Sequence, residues 1–351
     1  AYKSSFVITG DMLDTSPGVP QRTEVFVYDM VGMEYYREPG WGEQLWISTE
    51  TTPSKFSLFS SSWSYNVGSI WTSGRKYLVV SKARDRAGNW QEVFEINTSS
   101  VQFIYDTQPP QTGITTPPSV QSTNTLTNIS GTATDATQTY YVGMSGSNKV
   151  LLVIKNATDD KYYQGGGVWD VAVATLNPSG DANWANWWYT GIGGYWLSDK
   201  QYELKHWAID DLGNPGDPAT YTIIYDTTPP SVAITTPVPE GLSTRVMPVI
   251  SGTANALLSG LEDVEVKVSS WSGSVWSLVQ TEVSPTVDVW VSSWSYQTTG
   301  LVNGTTYQAV VRGKDNAGNW SVVYATRTFF YDTVAPSAVI TRPTDDGYYG
   351  P

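Results

Sequence analysis

One phrase returns three times along this chain. YDTQPP at 105–110, YDTTPP at 225–230 and YDTVAP at 331–336 each lead, eight residues after the Asp, into ITTP, ITTP and ITRP. A second set, VITG at 7–10, NISG at 128–131 and VISG at 249–252, recurs every 121 residues. Self-similarity at this period restricts the fold to tandem copies of one supersecondary unit. The 351 residues leave room for about three domains of roughly 100–150 residues. The frame divides the chain into units at 1–106, 107–226 and 227–332, with 333–351 carrying the opening strand of a further unit.

Composition narrows the chemistry. Gly 31, Pro 20 and a charged fraction of only 15% describe a β-rich, turn-rich chain. Zero cysteines and one histidine remove disulfide frameworks, thiolate metal sites and most histidine-based catalysis. A net charge of −13 argues against nucleic acid and anionic membrane as partners. No apolar run approaches the roughly 18 residues of a membrane span, so membrane insertion is not expected. Sequons at Asn97, Asn128, Asn156, Asn303 and Asn319 permit glycosylation outside the cell.

Overlaid, the units share an order: an opening strand at ITTP, a strand at the ISG motif, a Trp-x-Tyr strand, a Tyr-led strand, a Gly-Asn turn and a closing strand into YDT. Short strands separated by turn signals at this spacing predict an all-β fold of three Ig-like β-sandwiches in a rod. Trp63 and Tyr65, Trp187 and Tyr189, and Trp294 and Tyr296 hold the same strand position. Tyr77, Tyr202 and Tyr307 each open the penultimate strand as a tyrosine corner does, and counting by twos gives its inward register. His206 falls on that register, as a satisfied core histidine with no partner for a triad. No catalytic residue is expected, because acidic pairs such as Asp159–Asp160 lie in turn-like sequence without a cleft.

DNAGNW at 315–320, followed by YDTVAP, and ISGTA at 250–254 resemble the bacterial Ig-like domains strung in long arrays in large extracellular adhesins and surface proteins. DRAGNW at 85–90 matches equally well, and DDLGN at 210–214 departs by Leu for Ala. The resemblance spans essentially the whole chain and implies an extracellular or cell-surface location. The middle unit carries an insertion over 162–196 rich in Trp, of which Trp184, Trp188 and Trp196 are candidates for stacking on sugar rings or a partner surface.

In an Ig-type sandwich the closing strand ends at one pole and the last turn lies at the opposite one. Asp106 of the first unit is therefore expected to meet Asp210, Asp211 and Asn214 of the second, together with Asp135. Asp226 is expected to meet Asp315 and Asn319 of the third, with Asn255 in the place of Asp135. Convergent carboxylates repel, and a Ca2+ ion with roughly six to eight oxygen ligands relieves that. The resemblance implies the same, since such arrays carry calcium-stiffened linkers. The competing reading is that each Asp simply caps a turn.

Residues 337–341, SAVIT, read as a spare opening strand, whereas the first unit lacks one. Joining Pro343 to Ile8 through the two ends gives a spacer of 15 residues, against 11 from Pro117 to Ile129 and 12 from Pro237 to Ile250. Two explanations fit: a segment of a longer array, or a subunit whose tail, through Ala338, Val339 and Ile340, completes the first domain of its neighbour. The function expected is a non-enzymatic structural protein assembling head-to-tail at the cell surface. The alternatives are a glycan- or receptor-binding adhesin module and a spacer of a secreted polysaccharide-degrading enzyme.

Overall fold

A computed structural model of the chain describes residues 1–14, 20–48, 55–59, 61–118, 122–136, 138–283, 286–288, 293–342, 347, 348 and 350. Every regular element among them is a β-strand. The strands form three sandwiches, each of two sheets closed around its own core. No helix among the described residues is long and apolar enough to cross a membrane.

The middle domain shows the pattern. Its smaller sheet runs in the order Ser179–Gly180, Trp187–Tyr189, Ile129–Thr134, Gln111–Thr116. The facing sheet contains the central pair Val150–Asn156 and Lys200–Ala208. Along Lys200–Ala208, Tyr202, Leu204, His206 and Ala208 are buried and alternate with partly covered or exposed residues, the period of two that a pleated strand imposes. Their burial against Leu152, Ile154 and Trp187 forms the core, and each aliphatic side chain so removed from water contributes roughly 1.5–3 kcal/mol. His206 is part of this interior: Nδ1 lies 2.6 Å from Thr112 Oγ1, and burial lowers its pKa.

The tyrosine corners form as the register predicts. Tyr202 is fully buried; its hydroxyl accepts from Leu197 N at 2.8 Å and donates to Leu197 O at 3.1 Å. Tyr77 closes on Thr72 in the same way, and Tyr307 accepts from Val302 N at 2.7 Å. Tyr202→Phe leaves the Leu197 amide without its acceptor, so a loss of about 1–2 kcal/mol from the middle domain is expected in denaturant unfolding. An unchanged midpoint would mean that water replaces the hydroxyl.

The three domains differ at one edge. In the second, the opening strand Gln111–Thr116 pairs antiparallel with Ile129–Thr134, setting Ile114 opposite Gly131. In the third, Ser231–Thr236 pairs with Val249–Asn255, setting Ile234 opposite Gly252. Both pairings carry a register irregularity at this point. In the first domain the corresponding strand, Ile8–Asp11, pairs on one side with Ser62–Tyr65, and no described strand lies along its other side. A second short contact is shared by all three: Tyr2 bridges Tyr105, Ser122–Thr123 pairs with Ile224–Tyr225, and Leu242–Thr244 pairs with Phe329–Tyr331, each in parallel.

Candidate functional site

The features with chemical potential lie at the ends of the sandwiches, and each is built by the closing turn of one domain and the last hairpin of the next. Asp106 follows the closing strand Ser100–Tyr105. Its Oδ1 accepts from Gln108 N at 3.0 Å, an Asx turn that sends the chain into Pro109–Pro110. Its Oδ2 accepts from Val142 N of the second domain at 2.9 Å. Asp210 sits at the start of the DDLGN turn, where Oδ1 accepts from Leu212 N at 2.9 Å and Asn214 N at 2.7 Å. The turn has positive φ at Gly213, a conformation glycine adopts without steric cost. Asn214 then spends its amide on both domains, donating to Asp210 Oδ2 at 2.6 Å and across the junction to Asp106 O at 3.2 Å.

Asp135 enters from the end of the Ile129–Thr134 strand. Its Oδ2 accepts from Gly143 N at 2.8 Å, while the buried Oδ1 has no hydrogen-bond partner. Asp106, Asp135 and Asp210 are all buried, and each offers an oxygen within 4.8 Å of the other two. Two unit charges at that separation repel by on the order of 3 kcal/mol at an effective dielectric of about 20. Burial, reinforced by Asp106, Asp210 and Asp211, pushes the Asp135 carboxyl up to about 6. A cleft of about 410 Å3 lined in part by Asp135, Gly143, Met144 and Asp211 opens beside the cluster.

These residues fit a hard cation. Oxygens bound at about 2.3–2.6 Å to one Ca2+ lie no further apart than about 5 Å, and the unpartnered Asp135 Oδ1 is a ligand atom with no other occupation. Asp211 does not belong to the set. It turns outward, where, against the upward push of burial, Lys149 and Ser145 hold its carboxyl below the ordinary range. Asn214 also serves as a donor between domains, its amide nitrogen committed to Asp106 and Asp210.

The second junction repeats the geometry with fewer charges. Asn319 donates to Asp315 Oδ2 at 2.8 Å and across to Asp226 O at 2.9 Å. Asp226 and Asp315 are fully buried; burial raises the Asp226 carboxyl, with Asp199 and Asp315 adding to it. The counterpart of Asp135 is missing. Asn255 does not stand in for Asp135: the register pairs Thr134 with Gln111 and Asn255 with Ser231, so Asn255 matches Thr134 and is exposed, and Ala256 holds the Asp135 position. One further contact is common to both junctions. Lys3 Nζ donates to Gly213 O at 3.0 Å, and Asn124, 121 residues on, donates to Asn319 Oδ1 at 2.9 Å.

Other expected sites fare differently. Trp184 and Trp196 are buried in the middle core, Trp184 with its Nε1 donating to Gly146 O at 2.9 Å. Neither can offer a ring face to a sugar, so of the three only Trp188, 41% exposed, is on the surface. Asn156 is buried with its amide donating to Asp159, and the Asn319 amide is used at the junction, which leaves neither free for a glycan. Asn97 is exposed, and Asn128 is partly covered. Asn303 Oδ1 accepts from Thr333 N and Oγ1. The segment with Ala338, Val339 and Ile340 is exposed, Val339 and Ile340 by 81% and 79%.

A further acidic end went unnoticed in the sequence. Asp85 closes its turn by accepting from Asn89 N at 2.8 Å and Asn89 Nδ2 at 2.7 Å, as Asp210 does with Asn214. Asp14 stands 121 residues before Asp135, and both Asp14 and Asp85 line one surface recess. The DRAGNW match and the repeat offset together carried this signal.

The chain is a tandem repeat of Ig-like sandwiches. No family model matches it, and no curated protein does. Among solved structures it is similar to the FN1–FN3 domains of chicken CNTN1 (12% identity over 95% of this chain and 96% of that one, TM-score 0.27). It is also similar to fibronectin(III)-like modules of Clostridium thermocellum CbhA (14%, 63% and 94%, TM-score 0.31). The three N-terminal domains of the bacteriophage RB49 outer capsid protein Hoc match at 11% identity over 95% and 96%, TM-score 0.36. At such identities the likeness is one of fold alone.

Proposed function

We propose that this chain is a non-enzymatic structural segment of an extracellular fibre of the bacterial Ig-like type, working as a stiff spacer that assembles head-to-tail. The observation that supports this reading is the repetition of one built junction. At both, the turn Asn of the following domain binds the carbonyl of the preceding domain's last Asp, and the linker prolines Pro110 and Pro230 are buried. A hinge would leave those groups in water; here the following domain covers them. Proline further restricts the linker backbone.

In the same reading, Ca2+ stiffens the first junction. Asp106, Asp135 and Asp210 would hold it, and its charge would offset the repulsion among three buried carboxylates. Asp226 and Asp315 give the second junction a weaker site or none. Electron microscopy of the purified chain tests the reading: straight rods or filaments are expected with calcium, and more bent particles at the first junction after chelation. Calorimetric titration is expected to find one dominant calcium site. Freely jointed beads in both conditions would overturn the spacer reading, and no heat of binding would remove the ion.

A further inference from the structure

The second junction carries an acid that has no counterpart at the first, and it comes from the preceding domain. Asp199 lies three residues before the corner Tyr202, where the other two domains carry Gly74 and Gly304 before Tyr77 and Tyr307. Asp199, Gly74 and Gly304 are all left-handed, with φ 58, 79 and 72. Glycine takes that conformation freely and other residues take it at a cost. The turn by itself favours glycine, so the aspartate is explained by what its side chain does.

At the first junction the space above Gly74 belongs to Gln138, whose Oε1 stands 2.0 Å from where a Cβ on that glycine would lie. Gln138 Nε2 donates to Asp106 Oδ1 at 3.2 Å and to Ser73 Oγ at 3.3 Å. With Val142 N on Oδ2, both oxygens of Asp106 have donors. The repeat offset of 121 residues carries Gln138 to Ser259, and the amide is lost with it.

Nothing takes over its role. Ser259 is 7% exposed, and its Oγ is buried without a hydrogen-bond partner. Asp226 Oδ2 and Asp199 Oδ1 are likewise buried and unpartnered. The two carboxylates meet on Thr228, whose N donates to Asp226 Oδ1 at 2.8 Å and whose Oγ1 donates to Asp199 Oδ2 at 2.6 Å. Lys200, next in the chain, spends its charge on Asp159 at 2.8 Å. Burial raises the Asp226 carboxyl, Ser259 beside it lowers it, and the charges of Asp199 and Asp315 raise it further. An amide donor and a glycine have thus been exchanged for a hydroxyl and a carboxylate, leaving three buried oxygens with no donor among them. Buried charge without compensation is costly.

We infer that Asp199, Asp226 and Ser259 bind a hard divalent cation at the second junction, Ca2+ being the ion whose flexible oxygen shell suits such a mixed set. Asp199 and Asp226 belong to the middle domain and Ser259 to the third, so the ion ties this pair of domains where Gln138 ties the first pair through its amide. Having fewer facing carboxylates than the cluster of Asp106, Asp135 and Asp210, the site fills after that one, at about 0.1–1 mM calcium, the range of weak extracellular modules. The inference rests on the reading of a cation-stiffened spacer and extends it to the second junction. The two sites share no residue, so each can be removed alone.

Equilibrium dialysis of the chelator-stripped chain against millimolar Ca2+ counts the bound ions. Asp199→Gly, which installs the residue of the other two corners, is expected to bind one ion fewer per chain than the wild type. Asp135→Asn is expected to lose a different one, and the two together to lose two. Asp160→Asn, at a side chain 83% exposed, is the charge control and should keep the full count. Asp199→Gly combined with Ser259→Gln rebuilds the pair of Gly74 and Gln138, and is expected to lose the same ion while melting in chelator no lower than the wild type. A full count in both Asp199 variants, or an equal loss in Asp160→Asn, would overturn the second site and leave the first standing. So would an Asp135→Asn chain that binds no ion at all. A wild-type chain that binds none would overturn both.

Discussion

Gly252→Ala is expected to cost the third domain about 3 kcal/mol, a large effect for adding one methyl group. Replacing glycine by alanine normally gains roughly 0.4–1 kcal/mol by restricting the unfolded chain. Here the new Cβ would meet Ala233 O at 1.8 Å and Trp294 Cζ2 at 2.7 Å. Neither can yield cheaply. The carbonyl belongs to the opening strand, and the ring is 2% exposed with its Nε1 donating to Thr253 O at 3.2 Å. Overpacking of this kind costs typically 1–3 kcal/mol, and more when backbone must move. Because a three-domain chain need not unfold in one step, calorimetry should show the third-domain transition falling alone. Gly40→Ala is the control: nothing lies within 4 Å of its Cβ position, and the first-domain transition should hold or rise slightly. If the Gly252→Ala profile overlays that of the wild type, the opening strand does not press on this position.

Asp135→Asn is expected to stabilise the middle domain in the absence of divalent metal and to do so only above neutral-to-acid pH. The Asp135 carboxyl, raised from 3.8 to about 6 by burial and by its acidic neighbours, binds its proton more tightly folded than unfolded. Its contribution to stability is therefore fully present below about pH 4 and is lost as pH rises through about 6. A shift of two units corresponds to about 3 kcal/mol. In chelator at pH 8 the variant should exceed wild type by about 2–3 kcal/mol, and at pH 4 the advantage should vanish. Added calcium should reverse the order, raising the wild-type melting temperature and leaving the variant unmoved. A wild-type chain with flat stability between pH 4 and 8 in chelator would show that the three carboxylates do not interact as their spacing demands.

The repeats made the sandwiches, the tyrosine corners and the meeting of Asp106 with Asp210 legible before any coordinates, because each depends on strand period and on which pole a turn occupies. Finer placement was not. Asn255 and Ala256 differ by one residue, and on a strand one residue exchanges the two faces; the 121-residue offset carries Asp135 to Ala256, whereas matching by residue type alone picks the neighbouring Asn255. Asp211 was grouped with the ligands for its position beside Asp210; Lys149, far away in sequence, draws it outward. Trp184 and Trp196 looked like a binding surface because they lie in a loop-rich insertion. That loop folds back and closes the core, which depends on contacts such as Trp184 to Gly146 that no local pattern encodes.

The short parallel pairings beside each closing strand have a consequence for a fibre under load. Tension drawn along the chain enters one sandwich near its first strand and leaves by its last, and two parallel strands pulled from opposite ends are sheared rather than peeled. Their hydrogen bonds then carry the force together, not one after another. By that measure the middle domain, with Ser122 and Thr123 engaged, would give way before the third, where Leu242, Ser243 and Thr244 are engaged. A fibre made this way would lengthen in steps under a current or a drag, absorbing a pull in one domain before it reached the next.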